Sequence, residues 1–99
     1  MPATLSPSDI KTRLEDVPEW KLVVDDKRVE GDSIVRTFTL GNFVEAVEFV
    51  NQLTELAEDA NHHPDVDIRW NKVTLRLSTH SKGGLTKADF DLAAQIDML

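Results

Sequence analysis

Residues 65–79, DVDIRWNKVTLRLST, decide the fold. Polar and apolar side chains alternate through Asp65-Val66-Asp67-Ile68-Arg69-Trp70, and again from Val73 to Thr79. A period of two is the mark of strands with one face buried and the other wet. Asn71-Lys72 lies between the two runs as a tight turn, so the segment reads as an antiparallel hairpin. Val73, Leu75, Leu77 and Thr79 share one face of its second strand, and Thr74, Arg76, Ser78 and His80 share the other. That polar face meets water or lines a cleft, which assigns the helices to the opposite face.

Upstream of the hairpin, Pro64 cannot continue a helix and restricts the residue before it, so the preceding helix ends near Asn61. It starts at Asn42, an N-cap with Glu45 three residues on to reach back to the cap. Phe43, Val47, Val50, Leu53 and Ala57 recur at helical spacing as its apolar stripe, with Glu45, Glu48, Gln52 and Glu55 elsewhere. Ser33 to Leu40 alternates as a strand, with Ile34, Arg36, Phe38 and Leu40 on one side. Asp25 to Asp32 is a charged loop containing Gly31, and Trp20 to Val24 is a strand. Ser6-Pro7-Ser8-Asp9 starts a first helix that carries Ile10 and Leu14 on one face and ends at Val17-Pro18.

Downstream, Ser81 to Gly84 is a loop, and Thr86 with Asp89 forms a capping box. Phe90, Leu92, Ala93, Ala94, Ile96 and Asp97 then complete an amphipathic final helix. The order is α-β-β-α-β-β-α. The expected class is α+β: a four-stranded antiparallel sheet with three helices packed on one face, residues 1–99 forming a single domain.

Composition narrows the chemistry. Eleven Lys and Arg against eighteen Asp and Glu leave a formal charge of −7, which argues against a nucleic-acid or anionic-membrane surface, since both need a positive field. With no Cys in the chain, disulfides, thiolate metal sites and a cysteine nucleophile are excluded. MPATLSPSDI has neither a basic n-region nor an apolar h-region, and no apolar run approaches the ~20 residues that cross a bilayer. The expectation is a cytoplasmic protein.

The three histidines, His62, His63 and His80, occupy two short segments at element ends, where sites tend to be built. Glu58 precedes His62 by one helical turn, so on a continuing helix the two share a face, and the carboxylate would set the imidazole's tautomer. Imidazole suits proton transfer near neutral pH. Each residue also has a plain structural reading. A histidine at a helix end is commonly a solvated cap, and one ending a strand is commonly surface. Asp89 is accounted for by the capping box, and Trp70 by a core position beside Val66 and Ile68. Metal binding is disfavoured, because adjacent histidines project in different directions. No Gly-rich phosphate loop and no G-x-S-x-G elbow is present.

Glu58, His62-His63-Pro64, Trp70, His80 and Asp89 form the pattern E-x₃-H-H-P-x₅-W-x₉-H-x₈-D. This resembles the signature of the pterin-4a-carbinolamine dehydratases, and Ser78-Thr79-His80 with Gly83-Gly84-Leu85-Thr86 is similar to that family's loop into its last helix. The resemblance implies elimination of water from a 4a-hydroxytetrahydropterin to give quinonoid dihydropterin, in the recycling of tetrahydrobiopterin after an aromatic amino acid hydroxylase has used it, with no metal and no cofactor. It implies His62 and His80 as the acid/base pair and His63 as a positioning residue. Glu58 would orient an imidazole, Asn61, Ser78 and Thr79 would hydrogen-bond the pterin edge, Asp89 would serve the helix cap alone or His80 as well as the cap, and Trp70 would at most form part of the floor. Homodimers or homotetramers are implied as well. Two other readings accompany this one: a protein-interaction module that assists transcription-factor dimerisation through a helical surface, and a role with another pterin such as a molybdopterin precursor.

Overall fold

The alternation at 65–79 folds as expected into two antiparallel strands, but the turn between them comes one residue early. In the computed structural model, which describes residues 4–27 and 31–99, β3 spans Asp65–Arg69 and β4 spans Lys72–Leu77. Residues 28–30 of the expected 25–32 loop lie outside the described residues. The pair Arg69↔Lys72 closes the hairpin, so Trp70 and Asn71 are the turn. Trp70 takes a left-handed φ of 52° and is 68% exposed, and is therefore not a core aromatic. Its place in the alternation was misleading because a turn residue belongs to neither strand face. Asn71 ties the turn to the end of the neighbouring strand: its Nδ2 donates to the Leu40 carbonyl at 3.0 Å, and its own carbonyl accepts from Leu40 N–H at 2.8 Å.

The remaining elements are α1 (Pro7–Leu14), β1 (Lys21–Val23), β2 (Ser33–Thr39), α2 (Phe43–Ala60), a 3₁₀ turn at His80–Lys82 and α3 (Lys87–Asp97). The sheet order is β1-β2-β4-β3 with every pairing antiparallel. β4 thus inserts between β2 and β3, and the α2 connection carries the chain past it to the sheet edge. The class is α+β, as expected.

The core lies between the sheet and the helices. Ile34, Val73, Leu75 and Leu77 are fully buried on the sheet side and meet Ile10 of α1, Phe49 and Leu53 of α2, and Phe90, Ala93 and Ile96 of α3. Burying each large aliphatic or aromatic side chain is worth about 1.5–3 kcal/mol. Arg36 shares that inner face. Its guanidinium stacks 4.2 Å above the Phe38 ring and bonds Asp97 Oδ1 at 2.7 Å, and Trp20 Nε1 donates to the same oxygen at 2.7 Å. One carboxylate therefore fastens the end of α3 to β2 and to the segment entering β1. Ala94 faces solvent.

α2 starts as expected, with Asn42 Oδ1 accepting from Glu45 N–H at 2.9 Å. Its buried face keeps Leu53, Ala57 and the half-buried Val50 of the expected stripe, but Ala46 and Phe49 point inward in place of Phe43, which is 53% exposed, and Val47, 36% exposed. Both rows satisfy helical spacing, and only tertiary packing selects between them. Among the described residues no helix is long and apolar enough to cross a membrane.

Candidate active site

The C-terminus of α2 sets up the site. Helical bonding stops at Ala60, and Asn61 caps it in the left-handed region (φ 49°), its N–H bonded to the carbonyls of Ala57 and Glu58. Asn suffers least among non-glycine residues in that conformation. The reversal turns His62 N–H back onto the Ala57 carbonyl at 3.0 Å and sends the two imidazoles in different directions.

His62 goes inward. Its side chain is 13% exposed, and its Nε2 lies 2.5 Å from Oδ1 of Asp89, which is fully buried. His63 stays outside, with Nε2 2.5 Å from Glu58 Oε2 and both side chains more than half exposed. The expected Glu58–His62 pair is thus replaced by Glu58–His63, because the one-turn spacing holds only while the helix continues and α2 has already ended.

Asp89 is the hub. It is the third residue of α3, and its capping box with Thr86 is present, Thr86 N–H donating to Asp89 Oδ2 at 2.9 Å. Thr79 Oγ1 also donates to Oδ2 at 2.8 Å and lies 2.8 Å from Thr86 Oγ1. Both carboxylate oxygens are thereby engaged, and no buried side-chain polar atom among the described residues lacks a partner. The expected alternative, Asp89 serving His80, is not formed; the carboxylate serves the cap and His62.

His80 follows Thr79 and opens the 3₁₀ turn, exposed and with no ring hydrogen bond among the described residues. It borders a recess of about 20 Å³ lined also by Gly31, Ser33, Asp65, Arg76 and Ser78. Ser78 is buried, its hydroxyl donating to the Asp32 carbonyl at 3.0 Å. The hydroxyl protons of Ser78 and Thr79 are therefore committed inside the protein. Trp70 lies at the other end of β3 from His63, separated by the strand's five residues, roughly 17 Å at about 3.3 Å each. It is removed from the site. Thr86 is the residue that sequence reasoning missed: its capping role was readable, but its contact with Thr79 was not.

A cavity of about 380 Å³ lies elsewhere, between the N-terminal segment and the loops around Asp25 and Gly83, and no histidine lines it. Chemistry rather than volume marks the site. Among the described residues no three His, Asp or Glu side chains are grouped to hold a metal ion. What the three imidazoles offer is proton transfer: one is held by a buried carboxylate, one by an exposed carboxylate, and one has no ring hydrogen bond among the described residues.

Residues 3–99 match the family model described as pterin 4 alpha carbinolamine dehydratase. A protein from Picosynechococcus sp. with the provisional name pterin-4-alpha-carbinolamine dehydratase is 48% identical over 99 residues, covering 100% of both chains. A Roseiflexus castenholzii protein of the same provisional name is 52% identical over 97 residues, covering 98% of this chain and 97% of its own. The crystal structure of a transcriptional coactivator/pterin dehydratase from Brucella melitensis superposes with a TM-score of 0.84 at 32% identity, covering 96% of each chain. A pterin dehydratase-like protein identified as a RuBisCO assembly factor in the alpha-carboxysome shares the fold, with a TM-score of 0.66 at 20% identity over 81% of this chain and 87% of its own.

Proposed function

The chain belongs to the pterin 4 alpha carbinolamine dehydratase family, and on that premise we propose that it eliminates water from a 4a-hydroxytetrahydropterin by histidine acid/base catalysis. The observation that carries the reading is the pairing of His62 with the buried Asp89 carboxylate at 2.5 Å, next in the chain to His63, with the same carboxylate bonded to Thr79, the residue before His80. Elimination needs two proton movements. The N5 proton leaves to a base, the N5 electron pair forms the N5=C4a bond, and the C4a–O bond breaks as an acid protonates the departing hydroxyl. The products are quinonoid dihydropterin and water, with no electron acceptor needed.

His62 is the base, because the imidazolium formed there stays paired with Asp89. His80, exposed and without a ring hydrogen bond among the described residues, is the acid. His63, oriented by Glu58, and the exposed Asn61 position the pterin. Each transfer contributes typically 10²–10⁴-fold. No metal and no organic cofactor enters these steps. Residues 1–99 are taken as one such domain, working in the cytoplasm as a homodimer or homotetramer on the carbinolamine of tetrahydrobiopterin left by an aromatic amino acid hydroxylase.

The test is direct: purified protein is mixed with chemically generated 4a-hydroxytetrahydropterin and its loss is followed by ultraviolet absorbance. Loss well above the spontaneous rate is expected; a rate equal to it refutes the reading. A protein-interaction role is the second reading, favoured by the exposed Phe43, Val44 and Val47 on α2.

A further inference from the structure

Asp89 does more than cap a helix, and the direction of each hydrogen bond around it can be worked out. A threonine hydroxyl has one proton to give. Thr79 gives its proton to Asp89 Oδ2, so at the 2.8 Å contact between the two hydroxyls Thr86 must be the donor and Thr79 the acceptor. Thr86 Oγ1 in turn accepts from the Asp89 N–H in the capping box. The donors therefore run one way, from the α3 backbone to Thr86, from Thr86 to Thr79, and from Thr79 to Oδ2. The Thr86 N–H bonds the same oxygen.

Hydrogen bonds aligned in this way polarise one another, and a buried network with every member satisfied has one low-energy arrangement. With Oδ2 saturated by two donors, the remaining acceptor on Asp89 is Oδ1, which faces His62 Nε2. A carboxylate acts here only as acceptor, so Nε2 must carry a proton, and on the neutral ring the lone pair must then sit on Nδ1.

We infer that Thr79 and Thr86 are positioning residues, whose hydroxyls lock Asp89 so that His62 is held as the Nε2–H tautomer and presents Nδ1 as the proton acceptor for substrate N5. The assignment rests on the dehydratase reading only for the identity of the substrate; the tautomer is a property of the free protein. It moves Thr79 from the pterin edge to the carboxylate behind the histidine. It also gives the Thr79/Thr86/Asp89 spacing a reason beyond helix capping, since a cap alone needs no hydroxyl at position 79.

The test is histidine-selective ¹⁵N NMR on the free protein, read with steady-state kinetics. In the wild type the neutral His62 ring should show an Nε2–H and an unprotonated Nδ1. Asp89→Asn keeps the shape but turns an amide N–H toward His62, and should invert the tautomer to Nδ1–H. Thr79→Val, of nearly the same volume, should give a mixture of tautomers and lower kcat by roughly ten- to a hundredfold, as loss of a partner that orients a metal-bound imidazole does, with KM unchanged. Thr79→Ser should restore both the single tautomer and kcat.

A wild-type His62 in the Nδ1–H form would overturn the assignment. So would a Thr79→Val protein with a raised KM and an unchanged tautomer, which would return Thr79 to the pterin edge. If Thr79→Val does not fold by circular dichroism, Asp89→Asn decides alone. If wild-type protein shows the expected tautomer and no turnover, the dehydratase reading fails while the hydrogen-bond relay stands.

Discussion

Glu58 Oε2 and His63 Nε2 lie 2.5 Å apart across the end of α2, five positions apart in the chain, where the left-handed Asn61 has replaced the helical path. Both side chains are largely in water, and ion pairs so exposed are worth about 0–1 kcal/mol. Glu58→Gln should leave thermal stability essentially unchanged and lower turnover by less than about tenfold, since water can replace an exposed partner. A collapse of turnover with the fold intact would promote the pair from orienting His63 to doing the proton transfer itself.

Phe43 and Phe49 separate the two candidate faces of α2. Phe49→Ala, which removes a ring packed on Phe38 with centroids 4.7 Å apart, should cost about 3–5 kcal/mol in urea unfolding. Phe43→Ala, at an exposed site, should stay within about 0.5 kcal/mol. The opposite ranking would restore the stripe first read from the sequence.

Trp20 and Trp70 should respond oppositely to an aqueous quencher. Trp20 is 3% exposed with its indole N–H bonded to Asp97, whereas Trp70 is 68% exposed. The Trp20→Phe protein should fluoresce at longer wavelength and be quenched by iodide; the Trp70→Phe protein should do neither. A blue-shifted, protected Trp70 would return it to a buried position.

How much of this was legible follows from where the information sits. The strand alternation at 65–69 and 73–77, the Asn42 cap and the Thr86–Asp89 box are local patterns, each readable within a few residues. The inward face of α2 was not, because Phe43 and Val47 are as apolar as Ala46 and Phe49, and only the sheet opposite chooses. The partners of Glu58 and His62 depend on where a helix stops and on a contact between residues 27 positions apart. Trp70 was misplaced because strand periodicity was carried one residue into a turn. All three histidines were named from sequence, but the hydroxyls behind one of them needed three dimensions.

His62 and His80 can be set against each other by turnover of 4a-hydroxytetrahydropterin. His62→Ala and His80→Ala should each retain the circular dichroism of the folded chain and each lose roughly 10²–10⁴-fold in kcat, the usual worth of a general acid or base. Wild-type turnover in His62→Ala, with its fold intact, would contradict the central claim that the imidazole on Asp89 takes the substrate's proton.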